Sequence, residues 1–322
     1  MERCYEIGPS ARTVHWGYFD AALPSVVAIQ PGDTVVLHTL SGGLEDCPAE
    51  GSGFTVAADH RETCRTAERG PGPHLMTGPV SVAGAEPGDA LKIEIVDVQL
   101  RDDWGFNVIK PLVGVLREKY QEVRRIFLSI DRERRIIRTP WGLEIPAQPF
   151  FGIMGTAPPR SWGRQSSVIP RAFGGNIDNK ELTAGAVLYL PVFEPGGLFS
   201  AGDGHAAQGD GEVCLTAVET GLTGTFRIDL IKKAGLAMPR AETSSHLITM
   251  GFDEDLDDAA RIALCDMIQL IGERSDLSEE DAYRLCSIVA DLRVTQLVNQ
   301  HKGIHAMLPR WALAGERAPG RR

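Results

Sequence analysis

The 322-residue sequence contains no apolar run of the roughly 18 residues that a membrane-spanning helix needs. Its first residues, Met-Glu-Arg-Cys-Tyr-Glu, have no apolar core, so we expect no secretory signal peptide. The six cysteines are scattered and form no Cys-x-x-Cys pair, which is typical of reduced thiols rather than of a disulfide framework. We therefore expect a cytoplasmic protein with no membrane partner.

Several motifs of nucleotide binding and nucleophilic catalysis are also missing. The sequence has no Gly-x-Gly-x-x-Gly that opens a helix, no phosphate-binding P-loop and no Gly-x-Ser-x-Gly nucleophile elbow. Asp and Glu (43) outnumber Lys and Arg (33), and the formal net charge of −10 repels nucleic-acid phosphates. A doubly wound nucleotide-binding fold and a nucleic-acid partner are therefore not expected.

Patterns typical of β-strands fill the first two thirds of the chain. Two Pro-Gly-Asp turns, at residues 31–33 and 87–89, each precede an apolar or alternating segment. Turns that feed strands in this way indicate a sheet sandwich or barrel, although two unrelated tight turns would give the same local pattern.

The pattern changes after residue 250. Apolar residues follow helical spacing over 254–273, and Ser278-x-x-Asp281 is a capping-box pattern before a second helix over 278–290. We predict the following division of the chain: a β-rich body over 1–250, an α+β part over 251–310 that packs on the body, and a loose basic tail over 311–322.

The densest polar cluster is the stretch Gly-Asp-Gly-His-Ala-Ala-Gln-Gly-Asp-Gly-Glu at residues 202–212. Asp203 and His205 are two positions apart, as are Asp210 and Glu212, so in extended chain each pair leaves one face. Carboxylate and imidazole groups are ligands of divalent cations, and the interspersed glycines let the backbone approach a bound group closely. The pattern predicts a metal site, although Asp-Gly pairs are also typical of hairpin turns.

Further polar candidates lie outside this loop. In the stretch Gly-Gly-Asn-Ile-Asp-Asn-Lys, Asp178 could be another ligand and Lys180 a cation near developing negative charge, unless the stretch is an ordinary turn. We take Asn176, His74 and His15 as candidate substrate-binding residues. A single histidine is more often structural than functional, so the two histidines carry less weight than the acidic cluster.

Together these segments resemble the acetamidase/formamidase family of metal-dependent amidohydrolases, and the shorter, acetamidase-like branch in particular. The resemblance spans residues 15–310. The specific combination is Gly-Asp-x-His-x-x-x-Gly-Asp-Gly-Glu preceded by Gly-Gly-Asn-x-Asp. The matching stretches are Trp16-Gly-Tyr-Phe-Asp20, Pro31-Gly-Asp-Thr34, Thr77-Gly-Pro79, Gly84-Ala-Glu-Pro-Gly-Asp89, Gly174-Gly-Asn-Ile-Asp178, Tyr189-Leu-Pro-Val-Phe193, the 202–212 loop and Gln296-Leu-Val-Asn299.

This resemblance implies a mainly β fold, with a β-sandwich or jelly-roll-like body, a smaller β-barrel-like part and a small α+β C-terminal part. It implies hydrolysis of a small carboxamide, such as acetamide or formamide, to a carboxylate and ammonia by a metal-activated water. It also implies a homo-oligomer. The implied ligands are Asp178, Asp203 and His205, and the implied metal is zinc, with calcium or manganese as alternatives.

For the proton transfers we predict Glu212 as the acid/base, since it would face the same pocket as Asp210. In the alternative, Glu212 binds the metal and Asp210 moves the proton. Lys180 is the predicted oxyanion stabiliser. Two other functions stay open from the sequence: hydrolysis of another C–N bond, in a larger amide, a urea-like compound or a cyclic imide, and a non-catalytic β-sandwich stabilised by a metal.

Overall fold

The computed structural model describes residues 2–313 of the chain. The helices of this part are α1 (Ala58–Thr66), α2 (Leu256–Arg274) and α3 (Glu279–Val289), with three 3₁₀ turns at Leu44–Asp46, Arg160–Trp162 and Arg310–Leu313. The strands are β1 (Cys4–Ile7), β2 (Val14–Trp16), β3 (Tyr18–Phe19), β4 (Val27–Ile29), β5 (Thr34–His38), β6 (Leu75–Val82), β7 (Ala90–Leu100), β8 (Trp104–Ile109), β9 (Arg124–Asp131), β10 (Ile136–Arg138), β11 (Glu144–Pro146), β12 (Phe150–Gly155), β13 (Gln165–Ser166), β14 (Gly174–Asn176), β15 (Val187–Pro191), β16 (Phe199–His205), β17 (Leu222–Ile231), β18 (Arg240–Glu242), β19 (His246–Asp253), β20 (Asp291–Gln296) and β21 (Lys302–Pro309). The predicted loose tail lies outside the described residues from residue 314 onward.

The strands form four sheets, and the predicted mainly β class is confirmed. Nine strands make the largest sheet, in the order β1-β5-β17-β7-β15-β18-β19-β21-β20. Another sheet has the order β14-β12-β16-β6-β2, with β4 also paired to β6. The smaller sheets are β11-β10-β9-β8 and β13-β3.

The predicted barrel-like part is wrong, because no sheet within residues 2–313 closes on itself. The four-stranded sheet shows one physical reason. Its edge strand β11 is only three residues long and ends at Pro146, which has no N–H to donate to a further strand. This sheet therefore stays open.

Both Pro-Gly-Asp sequences form the turns predicted for them. Gly32 and Gly88 have φ angles of 88° and 92°, a region that glycine enters without steric cost. In each turn the aspartate carboxylate, of Asp33 or Asp89, accepts the backbone N–H three residues earlier, at 2.9 and 2.8 Å. The turns lead directly into β5 and β7, and both of these strands pair with β17.

The main core lies between the nine-stranded and the six-stranded sheet, as expected for a sandwich. Phe226 of β17 contacts Phe151 of β12 and Phe199 of β16, with ring centroids 5.3 and 5.5 Å apart. Ala201 of β16 also lies in this core. The core thus supports β12 and β16 from one side, and these two strands carry part of the candidate site described below.

Helices α2 and α3 cover the end of the nine-stranded sheet that contains β19 and β21, and both predicted helices are thereby found. The contact between α2 and β19 is close, because a Cβ on Gly251 would lie 2.1 Å from the carbonyl oxygen of Ala259. None of the helices in the described residues is long and apolar enough to cross a membrane. The change of pattern at residue 250 falls inside β19, and the division into two parts stays a prediction.

Candidate active site

Four acidic side chains and one histidine meet beside β12 and β16. The ligand atoms of Asp178, Asp203 and His205 lie within 4.8 Å of one another, and so do those of His205, Glu212 and Glu219. Nε2 of His205 is 3.2 Å from Glu219, 3.5 Å from Asp203 and 3.9 Å from Asp178. All five side chains are buried, and none is more than 7% exposed. The His205 ring is therefore the centre of a compact acidic cluster.

The backbone at three of these residues has an uncommon conformation. The φ angles are 51° at Asp178, 55° at Asp203 and 45° at Glu212. Such left-handed conformations cost about 1–3 kcal/mol each in a non-glycine residue, and they are concentrated at functional sites. In a regular strand, residues 201, 203 and 205 would face the same side of the sheet. The unusual φ at Asp203 changes this in β16: Ala201 faces the main core, whereas Asp203 and His205 face the cluster.

A glycine leaves the space in which the cluster meets. A Cβ on Gly152 of β12 would lie 2.4 Å from Oδ1 of Asp178, 2.8 Å from Cε1 of His205 and 2.9 Å from Oδ2 of Asp203. Real Cβ atoms essentially never approach other atoms so closely. The absence of a side chain at Gly152 is therefore a condition for these three groups to converge.

Burial changes the acidity of the carboxylates. It is the largest cause that raises the pKa of Asp178 to about 6, that of Glu219 to about 7 and that of Glu212 well above its ordinary value. The negative charge of nearby carboxylates adds to each of these increases. So many acidic groups cannot all ionise in one buried space without a compensating positive charge.

At Asp203 and His205 the effect of neighbouring opposite charges on the pKa outweighs that of burial. Burial raises the pKa of Asp203, but His74 and His205 outweigh this effect and hold the pKa below its ordinary range. Burial lowers the pKa of His205, but Glu219 and Asp203 outweigh it and raise the pKa well above the ordinary value. The cluster thus attracts positive charge to its centre.

The donor set fits a divalent cation. Three buried atoms of the cluster, Oδ1 of Asp178, Nε2 of His205 and Oε2 of Glu212, make no well-aligned hydrogen bond within the described structure, although Nε2 lies 3.2 Å from Oε1 of Glu219. Buried polar atoms are almost always paired, so unpaired atoms on three neighbouring side chains call for a ligand. Carboxylate oxygens and an imidazole nitrogen suit a borderline ion such as zinc, and the oxygens also suit calcium or manganese.

A small cavity of about 100 Å³ opens onto this cluster. His74, Asn176 and Asn299 lie on its wall beside Asp203 and Glu212. The rest of the wall is mixed: Phe106, Val108, Val168, Leu215 and Val298 are apolar, and Asp46, Lys110 and Glu219 are charged. The cavity therefore offers both polar and apolar contacts beside the cluster.

The polar wall residues are held by their own hydrogen bonds. Asn299 donates from Nδ2 to Oδ2 of Asp178 and to the carbonyl oxygen of Asn176. Asn176 donates from Nδ2 to the Val168 carbonyl oxygen at 3.3 Å, while its Oδ1 is buried without a partner. Nδ1 of His74 lies 2.9 Å from Oγ of Ser167, and its Nε2 lies 3.8 Å from Oδ2 of Asp203.

The predicted ligands Asp178, Asp203 and His205, the predicted acid/base Glu212, and the candidates His74 and Asn176 all come together in this way. Three other candidates do not. Lys180 and Asp210 form an ion pair with each other at 3.0 Å, and Lys180 lines a separate open cleft of about 420 Å³. Their catalytic roles stay predictions that this geometry does not support.

His15, a candidate substrate-binding residue, lies in β2, which is separated from β16 by β6 in the same sheet. Its Nδ1 is 2.6 Å from the carbonyl oxygen of Tyr18, and its Nε2 is 2.9 Å from Oγ of Ser200. Both ring nitrogens are thus engaged, Nδ1 with β3 and Nε2 with β16, and His15 is not among the described residues that line the cavity. Its binding role also stays a prediction.

Two residues of the site carried no clear signal in the sequence. Glu219 accepts the backbone N–H of Ala217 at 2.9 Å and the hydroxyl of Ser41 at 3.2 Å. Gln208 lies in the 202–212 stretch, called the acidic loop below, and its Oε1 is 2.9 Å from Nδ1 of His205. One feature of the sequence could have indicated Glu219: it is the single charged residue in the stretch Thr216-Ala-Val-Glu-Thr-Gly221.

Solved structures of similar proteins cover nearly the whole chain. An acetamidase from Bacillus halodurans is 29% identical, covers 97% of this chain and 100% of its own, and has a TM-score of 0.84. A predicted acetamidase/formamidase from the thermophile Thermoanaerobacter tengcongensis is 26% identical, covers 98% of both chains and has a TM-score of 0.85. The fold is thus shared over its full length with both.

Curated relatives match over a shorter stretch. The acetamidase of Mycolicibacterium smegmatis is 27% identical over an alignment of 218 residues, and the match covers 49% of this chain and 54% of the relative. The chain spans between 52% and 61% of the length of the curated relatives it matches. The family model described as Acetamidase/Formamidase matches residues 11–166 and 163–310, and the resemblance expected from the sequence is confirmed. On this match and the shared fold, the chain belongs to the Acetamidase/Formamidase family.

Proposed function

We propose that this protein hydrolyses a short linear carboxamide to a carboxylate and ammonia, with a divalent cation held by Asp178, Asp203 and His205. One observation carries the proposal: buried atoms without hydrogen-bond partners on Asp178, His205 and Glu212 converge next to a small cavity. The names acetamidase and formamidase of the relatives support the reaction class.

A bound divalent cation would polarise the amide carbonyl and lower the pKa of a water molecule toward 7. The protein must then move protons, and Glu212 is placed to do so. Its Oε2 has no hydrogen-bond partner in the described structure, whereas both oxygens of Glu219 already accept hydrogen bonds. Glu212 would take one proton from the attacking water and deliver it to the nitrogen as the C–N bond breaks and ammonia leaves.

The polar wall can recognise a primary carboxamide. Because Nδ2 of Asn176 donates to the Val168 carbonyl, its unpaired Oδ1 is available to accept an N–H of the substrate. His74 can donate from Nε2 to the oxygen on which negative charge develops, in the tautomer that leaves Nδ1 to accept from Ser167. These two contacts orient the carbonyl carbon toward the acidic cluster.

The size of the cavity supports a small substrate. A volume of about 100 Å³ is well below the roughly 300–1,000 Å³ of pockets that hold drug-sized ligands. Val108, Val168 and Leu215 on its wall can contact a short aliphatic acyl group. Acetamide and formamide therefore fit this site better than a long or branched amide.

Ammonia release from formamide, acetamide and propionamide, combined with elemental analysis of the purified protein, tests the proposal. We expect one divalent cation per site, zinc before calcium or manganese, and turnover that falls as the acyl group grows. A urea-like compound and a cyclic imide belong in the same panel, because turnover of these alone would favour another C–N bond; ring opening of the imide releases no ammonia and is followed by chromatography of the amide-acid product. Binding of a cation without turnover of any compound would indicate a structural metal and overturn the proposal.

We also propose a cytoplasmic homo-oligomer without nucleic-acid or membrane partners. All six cysteines are free thiols, which supports a reducing compartment. Light scattering on the purified protein would give the mass of the assembly, and a mass of 34.9 kDa would contradict the oligomer.

A further inference from the structure

Gln208 joins three of the segments that build the candidate metal centre. Its Oε1 lies 2.9 Å from Nδ1 of His205 in β16. Its Nε2 donates to the carbonyl oxygen of Asp178 at 2.8 Å and, more weakly, to that of Thr295 in β20 at 3.5 Å. The steps proposed above leave this side chain without a role.

The two carbonyl oxygens decide which way the Gln208 amide points. A carbonyl oxygen accepts and cannot donate, so the NH₂ end of the amide must face Asp178 and Thr295. The Oε1 end must then face His205. Because an amide oxygen can only accept, Nδ1 of His205 carries a proton and donates it to Gln208. Nε2 is therefore the ring nitrogen left for a cation.

The other side of the His205 ring makes an apolar contact. The ring of Phe150 packs at 84° to it with centroids 5.1 Å apart. This contact restricts where the ring lies but does not distinguish one ring nitrogen from the other. The hydrogen bond to Gln208 makes that distinction.

We infer that Gln208 is a positioning residue that sets the orientation and tautomer of His205 and, through the Asp178 carbonyl, the distance between these two cation ligands. The inference rests on the cation site of the proposed function, and on hydrogen-bond geometry alone. Side chains that orient a metal-binding histidine in this way typically change cation affinity by 10–100-fold when they are removed.

The test compares Gln208→Met and Gln208→Glu with wild type and with a control, Gln269→Met, on the exposed face of α2. Calorimetric titration of the metal-free full-length protein with Zn²⁺ gives the affinity. We expect about 10–100-fold weaker binding for Gln208→Met and no change for the control. Glutamate keeps an acceptor for Nδ1 but cannot donate to the Asp178 carbonyl, so we expect Gln208→Glu to show a smaller loss.

A second measurement does not depend on the cation or on activity. In protein labelled with ¹⁵N-histidine, the Nδ1 proton of His205, identified by its loss in His205→Gln, should be protected from exchange. We expect this protection to disappear in Gln208→Met and to persist in Gln208→Glu. A merely structural role for Gln208 would lower the melting temperature but leave this proton protected.

The outcomes separate the inference from the proposed function. If the wild-type protein binds no Zn²⁺, the proposed cation site is wrong. The protection of the Nδ1 proton of His205 then tests the role of Gln208 by itself. Wild-type Zn²⁺ affinity and an unchanged Nδ1 proton in Gln208→Met would overturn the inference. If Gln208→Met does not fold, loss of the protected proton in Gln208→Glu, which keeps the acceptor, would overturn it as well.

Discussion

Glu212 and Asp210 are separated by one glycine, yet the structure gives them opposite surroundings. Glu212 is 7% exposed, has an unpaired oxygen and contributes to the acidic cluster. The side chain of Asp210 is 33% exposed and pairs with Lys180. From the sequence alone, Asp210 and Glu212 are two positions apart and would face the same side of an extended chain. The φ of 45° at Glu212 departs from extended backbone, and the sequence did not predict it. The ion pair between Asp210 and Lys180 joins residues 30 positions apart, and the sequence did not predict it either.

The pair provides a matched test of the acid/base assignment. We expect Glu212→Gln to retain the cation and to lose about 10²–10⁴-fold in kcat, because the amide cannot take a proton from water. Asp210→Asn removes an exposed ion pair, so its kcat should stay within a few-fold of wild type. Ammonia release and elemental analysis of both variants check this. Full turnover by Glu212→Gln, or a large loss confined to Asp210→Asn, would reverse the assignment.

Gly152 gives a second prediction for a single residue. In Gly152→Ala the new methyl group meets Asp178 and His205 at less than 3 Å, so we expect the ligands to separate and Zn²⁺ affinity to fall by at least tenfold. Gly209→Ala, in the acidic loop, is the control, since a Cβ on Gly209 would have no atom within 4 Å. Calorimetric titration of both variants checks this, and equal affinities would show that the gap at Gly152 is not required.

Among the elements, the turn before β7 shows how local chemistry supports a strand. The Asp89 carboxylate accepts backbone N–H groups of Glu86 and Lys233, both at 2.8 Å, and pairs with the ammonium of Lys232. Burial raises the pKa of Asp89, but Lys232 and these two N–H groups outweigh it and hold the pKa below its ordinary value. The ionised carboxylate therefore stabilises the folded state more than the unfolded state.

This turn predicts a pH-dependent stability difference. We expect Asp89→Asn to lower the free energy of unfolding by about 1–3 kcal/mol at pH 7, the cost of weakening hydrogen bonds to a charged group. Because the folded pKa is depressed, the advantage of wild type is fully present above the unfolded pKa and disappears as pH falls through the folded pKa. Urea unfolding at pH 7 and below pH 4 measures it. Asp229→Asn, on the exposed side of β17, should show no such difference.

How far the elements could be predicted depended on the range of the interactions that form them. Turns with Pro-Gly-Asp and the capped helix that starts after Ser278 follow from contacts within a few residues, and the sequence showed them. The pairing of β17 with both β5 and β7 joins segments more than 100 residues apart. No local pattern carries that information, and the expected barrel-like closure was wrong for the same reason.

For the whole molecule, the C-terminal part helps to build the site as well as the sheet. Asn299 follows β20 and donates to Asp178, and the Thr295 carbonyl accepts from Gln208. Strands β19, β21 and β20 continue the nine-stranded sheet without a break. The sequence correctly predicted helices after residue 250. It did not predict that strands on both sides of these helices belong to the same sheet.

Because one sheet runs through both parts, we expect residues on either side of position 250 to unfold together. Gly251→Ala tests this, since its methyl group would meet the backbone of Ala259 and Ala263 in α2 at 2.1 and 2.7 Å. Overpacking of this kind costs about 1–3 kcal/mol, and here the contact is with backbone that cannot rotate away. Helix α2 must shift away from β19, which disturbs the part of the common sheet that contains β19 and β21.

The control is Gly272→Ala, inside α2, where no atom lies within 4 Å and alanine should stabilise the helix by up to about 1 kcal/mol. In urea, circular dichroism at 222 nm follows the helices, and in a Trp311→Phe background tryptophan fluorescence follows the body, where Trp16 and Trp104 are buried. We expect coincident transitions for both signals, with Gly251→Ala shifted to lower urea and Gly272→Ala to equal or higher urea. If Gly251→Ala shifts the dichroism transition and leaves the fluorescence transition in place, the two parts unfold independently, and the continuous sheet does not couple them.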